Sequence, residues 1–282
     1  MSLTDTYKLN NGTSIPVIGF GTWQTPDGEV AKQSVLSALK AGYRHIDTAS
    51  AYGNESSVGE GIAESGLKRE EIYLTTKLGS KAGNYEEAVQ AIETSLKELN
   101  TPYIDLYLIH WPAPLKYRPD WAKRNAGCWR AMEEAVQAGK IKSIGVSNFL
   151  PHHLEALFET ATIKPVINQI YLNPSDQQKE LVAYNTEHGM LSEAYSPLGT
   201  GDILGVEALQ NLAEKHKKSV AQIVLRWSLQ KGFLPLPKSV TETRIIENGQ
   251  LFDFELSDEE MNQIDQLQGV ASTAQNPDET NW

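Results

Sequence analysis

Eight short, β-branched or aromatic runs alternate with amphipathic stretches along this chain, which restricts it to a parallel sheet wrapped by helices. The predicted strands are 17–21, 43–47, 72–77, 104–110, 141–146, 166–170, 191–195 and 233–237. The predicted helices lie near 29–41, 56–64, 84–99, 122–138, 150–160, 176–188, 218–231 and 242–248. An open doubly wound sheet would share this alternation, but no G-x-G-x-x-G follows the first strand, and GFGTW (19–23) lacks the third glycine. At 282 residues the chain fits one closed (β/α)8 barrel of about 250 residues with short extensions. The extensions have their own signals. Residues 7–20 read as a β-hairpin about a two-residue Asn11-Gly12 turn. Ser257 and Glu260 match a capping box before MNQIDQL, an extra C-terminal helix ahead of a brief tail. The fold reading is therefore α/β, a (β/α)8 TIM barrel with an N-terminal β-hairpin and an extra C-terminal helix and tail. No linker or composition break divides it, so residues 1–282 read as a single domain.

Local chemistry supports the helices. Asn84 is placed to cap a helix with an acidic first turn, and Val89, Ile92, Leu96 and Leu99 mark its apolar stripe. Gly139 suits the left-handed residue that closes the next helix. Composition excludes several roles. A net charge of −11 argues against a nucleic-acid binder, which needs a clustered basic face. No apolar run approaches the roughly 18 residues of a membrane span, and MSLTDTYKLNNG is not a signal peptide. Cys128 is the only cysteine, so an intrachain disulfide and a cysteine metal cluster are both excluded. The expectation is a cytoplasmic monomer that meets neither nucleic acid nor membrane.

Three successive strand runs end on polar chemistry. YRHIDTASAY (43–52) carries Asp47 and Tyr52, EIYLTTKL (71–78) carries Lys77, and YIDLYLIHWP (103–112) carries His110. Successive runs lie about thirty residues apart, the length of one βαβ unit. Parallel neighbours would thus gather an acid, a phenol, an amine and an imidazole at the C-terminal rim, where barrel enzymes carry their chemistry. A Tyr52 phenol can protonate a carbonyl oxygen. A Lys77 ammonium would lower its pKa, Asp47 would keep Lys77 charged, and His110 can hydrogen-bond the carbonyl. Singly, each has a structural alternative: a turn cap, half-buried packing, a snorkelling amine, a core imidazole. Four at equivalent rim positions make coincidence a poor account.

The motifs around these residues resemble the aldo-keto reductase family over essentially the whole chain. GYRHIDTASAYGNESSVGEGI resembles its first signature, GKIKSIGVSNF (139–149) its second, and LPLPKSVTETRIIEN (234–248) its cofactor signature. The resemblance implies an NADP(H)-dependent carbonyl reductase without a metal. Small dicarbonyls, aromatic aldehydes and keto sugars are its candidate substrates, and the small-molecule carbonyl is its only implied partner. It makes Tyr52 the general acid, tuned by Lys77 and Asp47, with His110 orienting the substrate. Ser147, Asn148 and Gln169 would bind the nicotinamide carboxamide, and Tyr195 would stack on the ring. Gly21, Thr22, Asp47, Ser196, Leu198 and Gly199 complete that end of the implied cofactor site. Lys238, Ser239, Val240, Thr241 and Arg244 would take the 2′-phosphate, beside a short helix that Gly249 would close, with Glu247 and Asn248 at the adenine. Trp23 and Trp111 join Tyr52 and His110 as the substrate wall, with Trp282 a candidate from the tail.

The chain also departs from better-studied members. Gly79 replaces an aromatic two positions after Lys77, and both GTGDILG (199–205) and the tail are short. These features resemble the bacterial branch of diketogluconate and methylglyoxal reductases and imply a shallower pocket. Two other readings stay open: an NADP(H)-binding sensor subunit on the same fold, and a Schiff-base lyase acting through Lys77.

Overall fold

The computed structural model describes residues 2–282. Eight parallel strands follow one another in chain order: β3 (Phe20–Gly21), β4 (His45–Asp47), β5 (Tyr73–Leu78), β6 (Ile104–Ile109), β7 (Ile141–Ser147), β8 (Ile167–Tyr171), β9 (Leu191–Tyr195) and β10 (Leu234–Pro235). The barrel closes where the Gly19 and Gly21 amides donate to the Pro235 and Pro237 carbonyls at 3.1 and 3.0 Å. Gly19 is required at this seam. A Cβ there would lie 2.5 Å from both His45 Nδ1 and Leu236 Cδ2. Gly19→Ala should therefore destabilise the fold by about 1–3 kcal/mol, read as a lower urea midpoint.

Strand periodicity sorts the side chains into two cores. One parity faces the helices, where Ile46, Leu74, Tyr107, Ile109, Ile144 and Val146 join the larger apolar cluster. The other parity faces the barrel axis, where Leu106, Leu108, Ile167 and Leu234 pack together and Leu236 reaches the wall of the mouth. The hairpin plugs that end: β1 (Thr6–Lys8) pairs antiparallel with β2 (Ser14–Pro16), and Leu9 and Ile15 join the interior cluster. The polar Asp47, Lys77 and Gln169 share that parity near the C-terminal ends of their strands.

Ten helices are described: α1 (Glu29–Lys40), α2 (Glu55–Glu64), α3 (Tyr85–Glu98), α4 (Trp121–Gln137), α5 (Pro151–Phe158), α6 (Lys179–Glu187), α7 (Glu207–His216), α8 (Val220–Gln230), α9 (Glu242–Gly249) and α10 (Asp258–Asp265). Asn84 caps α3 by accepting from the Glu87 amide at 2.9 Å, and Ser257 and Glu260 form the expected box on α10. Gly139 lies at φ 74°. Among the described residues, no helix is long and apolar enough to cross a membrane.

Several local expectations are corrected. The hairpin loop has three residues: Leu9 N donates to the Thr13 carbonyl, Gly12 N donates to the Leu9 carbonyl, and Gly12 takes φ 84°. Gly12 thus supplies the left-handed third position after a type I turn. Val89 faces outward, and α3 instead buries Ala88, Ile92 and Ser95. Gly249 is the last residue of α9 and has no positive φ. Helix α7 was not anticipated. Its Leu209, Leu212 and Ala213 pack beside α8, after a 3₁₀ segment over Gly199–Gly205.

Candidate active site

Strand parity aims Asp47, Lys77 and Gln169 into the barrel mouth, and the hydrogen bonds join them. Lys77 Nζ donates to Asp47 Oδ1 at 2.7 Å, to the Thr48 carbonyl at 2.9 Å and to the Tyr52 hydroxyl at 3.3 Å. Three acceptors match three ammonium protons, so a fully buried cation is completely satisfied. Tyr52 lies on the 3₁₀ turn Ser50–Tyr52 beyond β4, which the Ser50 hydroxyl ties to the Lys77 carbonyl at 2.9 Å. His110 follows β6, with its ring edge-on to Tyr52 at 5.8 Å and 76°. The four strand-end residues thus meet at one point.

Burial dominates their ionisation. It pushes the Tyr52 phenol above its ordinary value, and the Lys77 ammonium pulls against that shift without reversing it. The expected net lowering of Tyr52 is corrected here, because desolvating a phenolate in a closed mouth outweighs one neighbouring cation. Burial also raises the Asp47 carboxyl, against the pull of Lys77 and Gln169. Burial opposes the Lys77 ammonium, yet Asp47 and Tyr52 together hold the amine above the usual lysine value. For His110, burial and then the Lys77 charge bring the pKa down to about 3, so the imidazole is neutral near pH 7. The result is a protonated phenol beside a neutral imidazole, backed by a lysine that favours loss of the phenolic proton.

Above this point lies a cavity of about 1070 Å³. Asp47, Tyr52, His110, Trp23, Trp111 and Trp282 line one end, where Trp111 meets Trp282 edge-on at 5.3 Å. The tail reaches this wall because the Leu115 amide donates to the Trp282 carbonyl at 2.7 Å. Gly21, Ser147, Asn148, Gln169, Tyr195, Ser196 and Leu198 line the middle. Asn148 and Ser196 adopt φ 62° and 46°, turning the chain sharply beyond β7 and β9. In that conformation Asn148 Nδ2 donates to the His110 carbonyl at 3.0 Å, and Asn148 Oδ1 accepts from the Tyr195 hydroxyl at 2.8 Å.

Lys238 and Ser239, after β10, and Arg244, Glu247 and Asn248, on α9, also line the cavity. Burial alone lowers the Lys238 amine, with no carboxylate opposing it. Lys238 and Arg244, two cations on the wall of one cavity, suit an anionic group. Four anticipated residues lie off the wall: Thr22 is buried and donates to the Asp47 carbonyl, Gly199 is buried, and Val240 and Thr241 face outward. Gly79 is also absent from the lining, and its carbonyl accepts from Arg124 at 3.4 Å. Sequence reasoning passed over the wall residues Gln24, Tyr171 and Ser272, and the buried Glu193. Tyr171 and Glu193 carried a usable signal, since each shares strand parity with an anticipated residue, Gln169 or Tyr195.

Comparison with known proteins places this geometry among relatives. The family model for aldo/keto reductases matches residues 17–268. Glyoxal reductase of Bacillus subtilis (strain 168) is 49% identical over 278 residues, covering 99% of this chain and 98% of that protein. Methylglyoxal reductase DkgA of Escherichia coli (strain K12) is 40% identical, covering 96% of each. A solved Bombyx mori aldo-keto reductase in complex with NADP superposes with a TM-score of 0.86 at 38% identity, covering 96% of this chain and 95% of that one.

Proposed function

The chain belongs to the aldo/keto reductase family, and from that premise we propose that its cleft reduces small dicarbonyls with Tyr52 as proton donor. The reaction is NADPH-dependent reduction of a carbonyl to an alcohol. The observation that carries the assignment of Tyr52 is the buried Lys77 ammonium, shared between Asp47 and the Tyr52 hydroxyl at the cleft floor.

When bound, NADPH supplies the hydride to the carbonyl carbon. Tyr52 gives its phenolic proton to the carbonyl oxygen as negative charge develops there, and Lys77, 3.3 Å away, stabilises the phenolate left behind. Neutral His110 hydrogen-bonds the same oxygen and turns the carbonyl carbon toward the middle of the cleft. Ser147, Asn148 and Gln169 would hold the nicotinamide carboxamide, Tyr195 would lie against the ring, and Gly21, Ser196 and Leu198 would flank it. Lys238, Ser239 and Arg244 would take the 2′-phosphate, with Glu247 and Asn248 at the adenine. The cavity exceeds what a small carbonyl needs, and Lys238 and Arg244 line it along with Tyr52, which suits an extended anionic cofactor. Trp23, Trp111 and Trp282 wall the remaining space. We place the protein in the cytoplasm as a single-domain monomer, a setting that suits its one buried, free cysteine.

The test is NADPH consumption, followed by absorbance, with glyoxal, methylglyoxal, aromatic aldehydes and keto sugars. Dicarbonyls should give the highest kcat/KM. Nucleotide binding without acceleration by any carbonyl would favour a sensor instead. Arg244→Ala should weaken NADPH binding by about 10–100-fold while barely changing NADH, measured by quenching of tryptophan fluorescence. Equal weakening of both would remove the 2′-phosphate from Arg244.

A further inference from the structure

Glu193, on β9, is fully buried and takes no part in the proton transfer described above. Its neighbour in register on β10 is Leu234, and the barrel interior around it holds leucine and isoleucine together with the buried His45. A carboxyl group at such a position costs stability unless its oxygens are well paired. Glu193 pairs only one. Its Oε2 accepts from Gln169 Nε2 at 2.8 Å, whereas Oε1 has no hydrogen-bond partner and lies 3.8 Å from His45 Nε2. Packing alone would be better served by an apolar side chain. What the carboxyl supplies is one acceptor, aimed at Gln169.

Gln169 is held from two sides. Its Nε2 donates to Glu193 Oε2 and to Asp47 Oδ2, both at 2.8 Å. An amide nitrogen has two protons, so both are committed. Two carboxyl acceptors decide which end of the amide faces the strands, and two points of attachment fix its plane. The amide oxygen is left for the cleft that Gln169 lines. With Asp47 alone, the amide could swivel about a single hydrogen bond, and its oxygen would no longer keep one direction.

We propose that Glu193 is a positioning residue for the cofactor: by pinning Gln169 Nε2 together with Asp47, it presents Gln169 Oε1 as a fixed acceptor for the N–H of a nicotinamide carboxamide. This rests on the reading of the cleft as an NADP(H) site. Burial pushes the Glu193 carboxyl up to about 8, and in its neutral form the carboxyl still offers Gln169 an acceptor oxygen.

The experiment compares equilibrium binding of NADP+ with that of its 3-acetylpyridine analogue, in which a methyl group replaces the carboxamide nitrogen. Wild-type protein should prefer NADP+. Glu193→Leu, similar in size but without an acceptor, should shrink that preference by about tenfold, the worth of roughly one hydrogen bond, with analogue binding little changed. Glu193→Gln keeps an acceptor and should retain the preference. Should Glu193→Leu fail to fold, Glu193→Met serves as the apolar variant with the same expectation. Unchanged preference in the apolar variant, or an equal loss for both nucleotides, would overturn the proposal. So would loss of the preference in Glu193→Gln to the same degree as in the apolar variant. A wild-type protein that binds both nucleotides equally removes Glu193's role alone; one that binds neither removes the cofactor reading as well.

Discussion

Tyr52→Phe should lower kcat by about 10²–10⁴-fold while leaving NADPH affinity nearly unchanged, because it deletes only the proton that reaches the carbonyl oxygen. The phenyl ring still fills the space against His110, which it meets edge-on at 5.8 Å. Lys77 keeps Asp47 and the Thr48 carbonyl, so the buried cation loses one partner of three. A stability change on the scale of one hydrogen bond, about 1 kcal/mol, is therefore expected, too small to explain the loss of turnover by unfolding. Single-turnover hydride transfer and nucleotide titration on the same preparation measure both quantities. Near-normal turnover would sink the assignment of Tyr52. His110 is held near a pKa of 3 by burial and the Lys77 charge, so it remains neutral near pH 7 and does not replace the missing acid.

The backbone architecture was largely readable because it depends on periodicity. Strand-length apolar runs at βαβ spacing fixed the parallel order, and the polar residue ending each run marked the mouth of the barrel. That argument reached Asp47, Lys77 and His110 from position alone, and the family motifs added Gln169 and Tyr195. It failed where the outcome depends on packing between distant segments. Helix α7 follows a glycine-rich turn and shows its apolar face only through Leu209, Leu212 and Ala213, too short a stripe to stand out before α8 covers it. The direction of the Tyr52 shift depends on how completely the mouth is desolvated, which no local pattern reports. Glu193 lay within reach. It is two residues before Tyr195, so the same parity that turns Tyr195 into the barrel turns Glu193 inward beneath it.

Lys77→Met tests whether the buried ammonium drives the proton donor or merely fills the barrel. Methionine matches the length of the lysine stem but removes the charge that faces Asp47 at 2.7 Å and Tyr52 at 3.3 Å. The effect on turnover has a definite sign. Lys77 pulls the Tyr52 pKa down against burial, so without it the phenol becomes a weaker acid, and kcat should fall by about 10²–10⁴-fold. A second effect accompanies the first. Removing one partner of a buried ion pair strands the other, which costs about 3–5 kcal/mol, although burial already pushes the Asp47 carboxyl up, so proton uptake offsets part of that loss. Its pH dependence follows from that uptake. A carboxyl whose folded pKa lies above its unfolded value contributes stability fully below the unfolded value and loses it as pH rises through the folded value. The variant should therefore be more stable in acid than at neutral pH when its urea midpoint is measured across that range. Adding Asp47→Asn to Lys77→Met removes the stranded carboxyl while keeping the shape of the side chain. The double variant should recover most of the stability at neutral pH and none of the turnover. Recovery of both would mean that Lys77 serves the fold rather than the proton transfer.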